Sequence, residues 1–107
     1  VTLLHLITAE DWAATEHAIR PRPGIGFVHL SAREQVRIPA NRLFAGRADV
    51  LLLEIDVDGL DVRWEPGVPG DHEQMLFPHV YEPIPLSAVR AVRPYLPGPA
   101  GFTDPDL

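Results

Sequence analysis

Three histidines stand inside apolar, strand-like runs: His5 in Leu3-Leu4-His5-Leu6-Ile7, His29 in Gly26-Phe27-Val28-His29-Leu30-Ser31, and His79 in Leu76-Phe77-Pro78-His79-Val80-Tyr81. A lone histidine in such a run is usually packed, its nitrogens meeting backbone carbonyls. Three in the same setting point to a shared crevice if their strands are neighbours. There the imidazoles bond ribose and phosphate oxygens, and one of them moves a proton. Burial lowers their pKa values and keeps them neutral, whereas a bound phosphate raises them. His79 and His29 are the candidate catalytic residues on this reading, and His5 is a ligand-binding one.

A three-histidine zinc site with a water as fourth ligand is the rival use of the same residues. It is disfavoured because no histidines stand at i, i+2 or i, i+4 and no carboxylate neighbours them in sequence as an evident orienting partner. No metal is therefore expected. His17 is placed on an exposed helix and His72 in a loop, outside either site.

The supporting groups divide in the same way. Ser31, three residues before Glu34, has the spacing of a helix cap, and the N–H groups of that helix start can hold a pyrophosphate. Asn41 and Arg42 follow on the next helix, where Arg42 either grips a phosphate bidentately or forms a surface ion pair. Trp64 and Tyr81 are candidate aromatic walls for a base, or else ordinary packing residues.

The positioning elements follow from periodicity. Strand 2–7 runs into a helix over 9–19 capped by Thr8, and Arg20-Pro21-Arg22-Pro23-Gly24 stops it as a stiff loop. Strand 25–30 follows, then helical pieces over 32–37 and 39–45 separated at Pro39. Residues 50–57 form the strongest strand, expected in the centre of a sheet, and Glu54 within it either pairs with an arginine or is a buried carboxylate. A short strand over 61–65 precedes a lid-length loop over 66–74. The last strands lie over 75–81 and 88–93, with Pro78 marking the first of them as irregular or at an edge. Residues 1–95 thus form one α+β domain, and 96–107 are a Pro/Gly-rich tail, draped or disordered, whose removal from residue 97 onward should leave the domain folded.

Composition limits the function classes. A chain of 107 residues can bury a core without metal or disulfide support. Its formal charge of −6, with nine arginines and no lysine, argues against a general nucleic-acid or anionic-membrane surface, although arginines can still cluster locally. The absence of cysteine and of any long apolar run points to a cytoplasmic, non-membrane protein.

Over residues 2–95 the motifs Leu4-His5-Leu6-Ile7-Thr8 with Trp12, Gly26 to Ser31, Ala40-Asn41-Arg42, Leu52-Leu53-Glu54-Ile55-Asp56, Arg63-Trp64-Glu65 and Phe77 to Tyr81 occur in an order that resembles the bacterial family known as domain of unknown function 952. That family in turn resembles the ADP-ribosyltransferase superfamily, which implies a small split-sheet fold with NAD or an ADP-ribose derivative as its nucleotide ligand. The resemblance implies that His5 contacts the ribose, that Gly26-Phe27 flanks the nicotinamide and that Ala40-Asn41 lies on the following helix. It departs at the stacking tyrosine, where Val28 or His29 stands. It departs again at the late-strand glutamate, whose counterpart is His79, with Glu73 several residues early. The expected function is transfer or hydrolysis at the N-glycosidic bond of NAD or a related ADP-ribosyl compound, with a non-catalytic nucleotide-binding module as first alternative and the three-histidine zinc hydrolase as second.

Overall fold

The architecture was obtained from a computed structural model, which describes residues 1–67 and 75–107. Of the lid-length loop expected over 66–74, Pro66 ends β5, and residues 68–74, with His72 and Glu73, lie outside the described residues. The chain is a small α+β domain of antiparallel sheets and few helices. Its elements are β1 (Thr2–Thr8), α1 (Ala9–Ala13), β2 (Ala18–Ile19), β3 (Val28–His29), α2 (Arg37–Leu43), β4 (Val50–Asp56), β5 (Val62–Pro66), β6 (Leu76–Val80), β7 (Ile84–Pro85) and β8 (Val89–Pro94), with a 3₁₀ turn over Leu86–Ala88. None of the described helices is long and apolar enough to cross a membrane.

Two three-stranded sheets, β1-β4-β8 and β3-β6-β5, carry the domain, and β2 and β7 form a separate two-residue pair. The sheets are joined where Leu4 and Ser31 exchange two backbone hydrogen bonds of 2.8 Å each. β4 is the central strand its sequence predicts. Leu53 and Ile55 on one face pack with Leu3, Val28, Leu30 and Val80 between the sheets, while Val50 and Leu52 on the other pack with Leu4, Leu6, Val36, Ala40 and Phe44 under α2. Glu54 pairs with Arg93 across the β4–β8 edge, which is the ion-pair reading of that residue.

Four sequence expectations change. The helix expected over 9–19 ends after Ala13. Thr8 Oγ accepts from the Asp11 amide at 3.2 Å as expected, but Thr15 Oγ donates back to the Asp11 carbonyl, His17 takes a left-handed φ of 66°, and Ile19 enters β2 opposite Ile84. His17 is therefore in a turn. The break expected at Pro39 is absent, because Pro39 sits in the first turn of α2, where its missing N–H costs no helical bond. Ser31 is spent on the seam rather than on a cap, and Gln35 takes that part, its Oε1 accepting from the Ala32 amide at 2.9 Å. Pro78 lies in the middle strand of its sheet, where its carbonyl accepts from the Leu30 amide.

The tail is draped over α2 and docked. Phe102 is 3% exposed against Tyr95, the Asn41 amide makes two hydrogen bonds with the Phe102 backbone, and Tyr95 Oη donates to the Thr103 carbonyl. Gly101 has φ +106°, and a Cβ there would meet Asn41 Oδ1 at 2.5 Å, so glycine lets the chain pass the amide. The sequence hides this because one aromatic among prolines carries no periodicity. Truncation before Gly101 should destabilise the domain. Phe102→Ala should cost about 3–5 kcal/mol and Asn41→Ala about 1–3 kcal/mol in urea unfolding, the second by leaving backbone groups unpaired.

Candidate functional site

The Leu4–Ser31 seam sets β1 against β3, and the histidines of both strands follow. His5 Nδ1 donates to the His29 carbonyl at 2.9 Å, since a carbonyl only accepts. Neutral His5 therefore carries its lone pair on Nε2. β3 then pairs with β6 so that His29 stands directly opposite His79, ring centroids 5.2 Å apart. The three histidine strands are neighbours, but His5 and His29 line the cleft beside the seam while His79 does not.

Beside the seam opens a cleft of about 690 Å³. His5, His29 and Ser31 line one side of it, Arg42 and Phe44 another, and the loop bearing Arg20 and Arg22 a third, with Phe27 at its wall. Among the described residues, Asp11 and Glu16 are the carboxylates along it, against three guanidinium groups. A locally cationic cleft in a chain of charge −6 is suited to an anion. Arg22 lies over the Phe44 ring at 5.6 Å, which bridges the loop to the end of α2.

Burial keeps the two cleft imidazoles neutral. Desolvation drops the His5 pKa to about 4, opposed by its bond to the His29 carbonyl and aided by Arg22. Desolvation likewise takes His29 to about 4, helped by the charges of His79, His5, Arg42 and Arg22.

His79 is differently placed. It is 3% exposed and does not line the cleft, so it is packed rather than presented. Phe27 stacks on it at 3.9 Å and 15°, and its Nδ1 donates to Glu65 Oε1 at 2.9 Å. The same oxygen accepts from Tyr81 Oη at 2.6 Å, and these bonds, Tyr81 first, hold the Glu65 carboxyl below the usual range while Glu65 raises the Tyr81 phenol. The Nε2 atoms of His29 and His79 are both buried without a hydrogen-bond partner.

Other predicted residues divide. Ser31 and Arg42 are at the cleft. Asn41 is on α2 but holds the tail. Trp64, 49% exposed, and Tyr81, capped by Glu65 and Arg63, are outside the cleft lining, and Phe27 and Phe44 are the aromatic walls instead. Sequence reasoning missed Arg20, Arg22, Phe44 and Glu65, whereas Phe27, which the resemblance implies beside the ligand, does line the cleft. The alternation Arg20-Pro21-Arg22-Pro23 was a readable signal, because a proline-stiffened loop presents its cations at little entropic cost. For Glu65 the signal was its two-residue spacing from Arg63, which puts both on the face of His79 once β5 and β6 pair with Arg63 opposite His79. Among the described residues no group of three or more His, Cys, Asp or Glu is arranged to hold a metal ion.

The family model described as Protein of unknown function (DUF952) matches residues 6–92. The chain belongs to the DUF952 family. A search of the curated proteins finds no match. Among solved structures it is similar to the X-ray crystal structure of protein CC0527 from Caulobacter crescentus, with 27% identity, TM-score 0.76, and coverage of 95% of this chain and 92% of that one. It is similar also to the solution NMR structure of CC0527, with 27% identity, TM-score 0.77, and coverage of 94% and 90%. The DUF952 match takes in β3, α2 and β6, with Ser31, His29, Arg42 and His79, but begins after Leu4 and His5 on β1 and stops before the docked tail.

The neutral histidines make stability pH-dependent. Their folded pKa of about 4 lies below the unfolded value of 6.5, so between these values the unfolded chain binds more protons. Stability should be full above pH 6.5 and be lost as pH falls toward 4, by up to about 3 kcal/mol per imidazole. Urea midpoints from pH 7.5 to 4.5 measure the slope, and His5→Gln should flatten it. A slope unchanged by His5→Gln would show that His5 is solvated in the native state.

Proposed function

We propose that the cleft binds an ADP-ribosyl nucleotide, NAD or ADP-ribose, and that the protein acts at its N-glycosidic bond by transfer or hydrolysis. The observation that carries this reading is the lining itself: two desolvated neutral imidazoles beside three guanidinium groups in a cleft of about 690 Å³. That volume is within the roughly 300–1,000 Å³ of sites for ligands of this size. The motif resemblance to the ADP-ribosyltransferase superfamily supports it, as does the junction of two sheets at Leu4 and Ser31 beside the cleft.

The chemistry divides among the residues. Arg20, Arg22 and Arg42 face the diphosphate, where charge-assisted bonds are strongest. His5 accepts a ribose hydroxyl at Nε2, and Phe27 and Phe44 flank the rings. The C–N bond breaks with its electron pair leaving on the base, through an oxocarbenium-like sugar. A water or acceptor hydroxyl forms the new C–O bond and gives its proton to His29. Burial of His79 moves it from the proton-accepting role to a supporting one.

A non-catalytic nucleotide-binding module is the second reading, favoured by one observation: among the described residues lining the cleft, the carboxylates are Asp11 and Glu16 of the α1–β2 segment, and none comes from β3.

ADP-ribose and NAD should raise the melting temperature by about 10 °C or more at a hundred times Kd, from a stabilisation of about 2.7 kcal/mol. Arg22→Ala should weaken binding about tenfold. His29→Ala should lower nicotinamide release about a hundredfold with affinity nearly kept. Binding without nicotinamide release selects the binding module, and no stabilisation by either compound overturns both readings.

A further inference from the structure

Glu65, His79 and His29 lie in a row from the surface to the cleft. Glu65 is half-buried on β5, His79 is enclosed between Phe27 and His29, and His29 lines the cleft from β3. An ionised carboxylate only accepts, so Glu65 fixes the neutral His79 ring with its proton on Nδ1 and its lone pair on Nε2. That Nε2 is buried without a partner, and so is Nε2 of His29 on the ring directly opposite, the two being the buried orphan side-chain atoms among the described residues. Two unpaired buried nitrogens on neighbouring rings cost the fold stability that a donor and an acceptor in the same place do not.

We propose that Glu65 and His79 are positioning residues that hold His29 as its Nε2–H tautomer, making a proton relay whose cleft end is the lone pair on His29 Nδ1. With centroids 5.2 Å apart, a small ring rotation or one bridging water completes the link from His29 Nε2–H to His79 Nε2. His5 is set independently, its Nδ1–H held by the His29 backbone carbonyl and its lone pair left on Nε2. Tyr81 completes the acceptor end by sharing Glu65 Oε1, and the Phe77 ring packs tilted against His29 at 5.2 Å.

The relay balances. His29 Nδ1 takes a proton from a hydroxyl or water in the cleft, whose O–H electron pair stays on the oxygen. His29 passes its Nε2 proton to His79 Nε2, and the His79 imidazolium formed is countered by the Glu65 carboxylate. No redox partner is required. The use of the relay rests on the ligand reading above, whereas the tautomer order is a property of the chain without ligand.

Long-range ¹H–¹⁵N imidazole spectra of the whole protein near pH 7, with no nucleotide added, test it. The expected pattern is Nδ1–H for His5, Nδ1–H for His79 and Nε2–H for His29. In Glu65→Leu the single tautomer should be lost at His79 and at His29 while His5 keeps its own, and Tyr81→Phe should leave all three unchanged. His29 found as Nδ1–H in the unaltered protein, or a His29 signature indifferent to Glu65→Leu, overturns the relay. If Glu65→Leu does not fold, the unaltered protein's tautomers decide alone. A failed relay leaves nucleotide binding standing, and failed nucleotide binding leaves the tautomer order standing.

Discussion

The two hydrogen bonds between Leu4 and Ser31 are the constraint on which the rest depends. Each sheet is too small to bury both its faces alone, and the seam lets β3 and β6 lay Val28, Leu30 and Val80 onto Leu53 and Ile55 of the other sheet. The same two bonds fix the distance between β1 and β3, so the His29 carbonyl is left for His5. Core and cleft are consequently set by one joint, and a change that loosens it disturbs both.

Electrostatics then follows from packing. Imidazoles that meet carbonyls, aromatic rings and one another lose hydration, and the nearby guanidinium groups add to the cost of a proton on either cleft ring. Neutral rings with one N–H committed are acceptors, which suits hydroxyls, while the arginines suit anions. The arrangement is one-sided in stability: it favours the fold at neutral pH and opposes it in acid. The tail contributes from behind α2, where Asn41 and Arg37 hold Phe102 and Asp104, so the helix carrying Arg42 and Phe44 is clamped on its far side.

Much of this was legible in the residues. The apolar runs placed β1, β4 and β8 and the central position of β4, because period and burial are local signals, whereas which histidines share the cleft depended on strand pairing. What the sequence concealed was mostly non-local. Ile19 belongs to a strand since Ile84, sixty-five residues on, offers it a buried partner. Ser31 carries a capping pattern, yet its backbone N–H and C=O pair with Leu4 and the helix begins only at Arg37, a long-range pairing that local pattern does not contain. Pro78 reads as an edge marker although its carbonyl alone is needed in mid-sheet. Asn41 sits where the resemblance implies a binding-site helix, but its amide is taken by the tail. Glu65, absent from the expected site, becomes visible only when β5 and β6 are paired.

The central claim is that an anionic nucleotide occupies the cleft beside the seam. Titration of the ¹⁵N-labelled protein with ADP-ribose tests it most directly. The account predicts saturable shifts concentrated in His5, His29, Ser31, Arg20, Arg22 and Arg42, with the β5 residue Trp64 and the β8 edge unmoved. Shifts centred on Trp64 or on β8, or none at millimolar ADP-ribose, would contradict it.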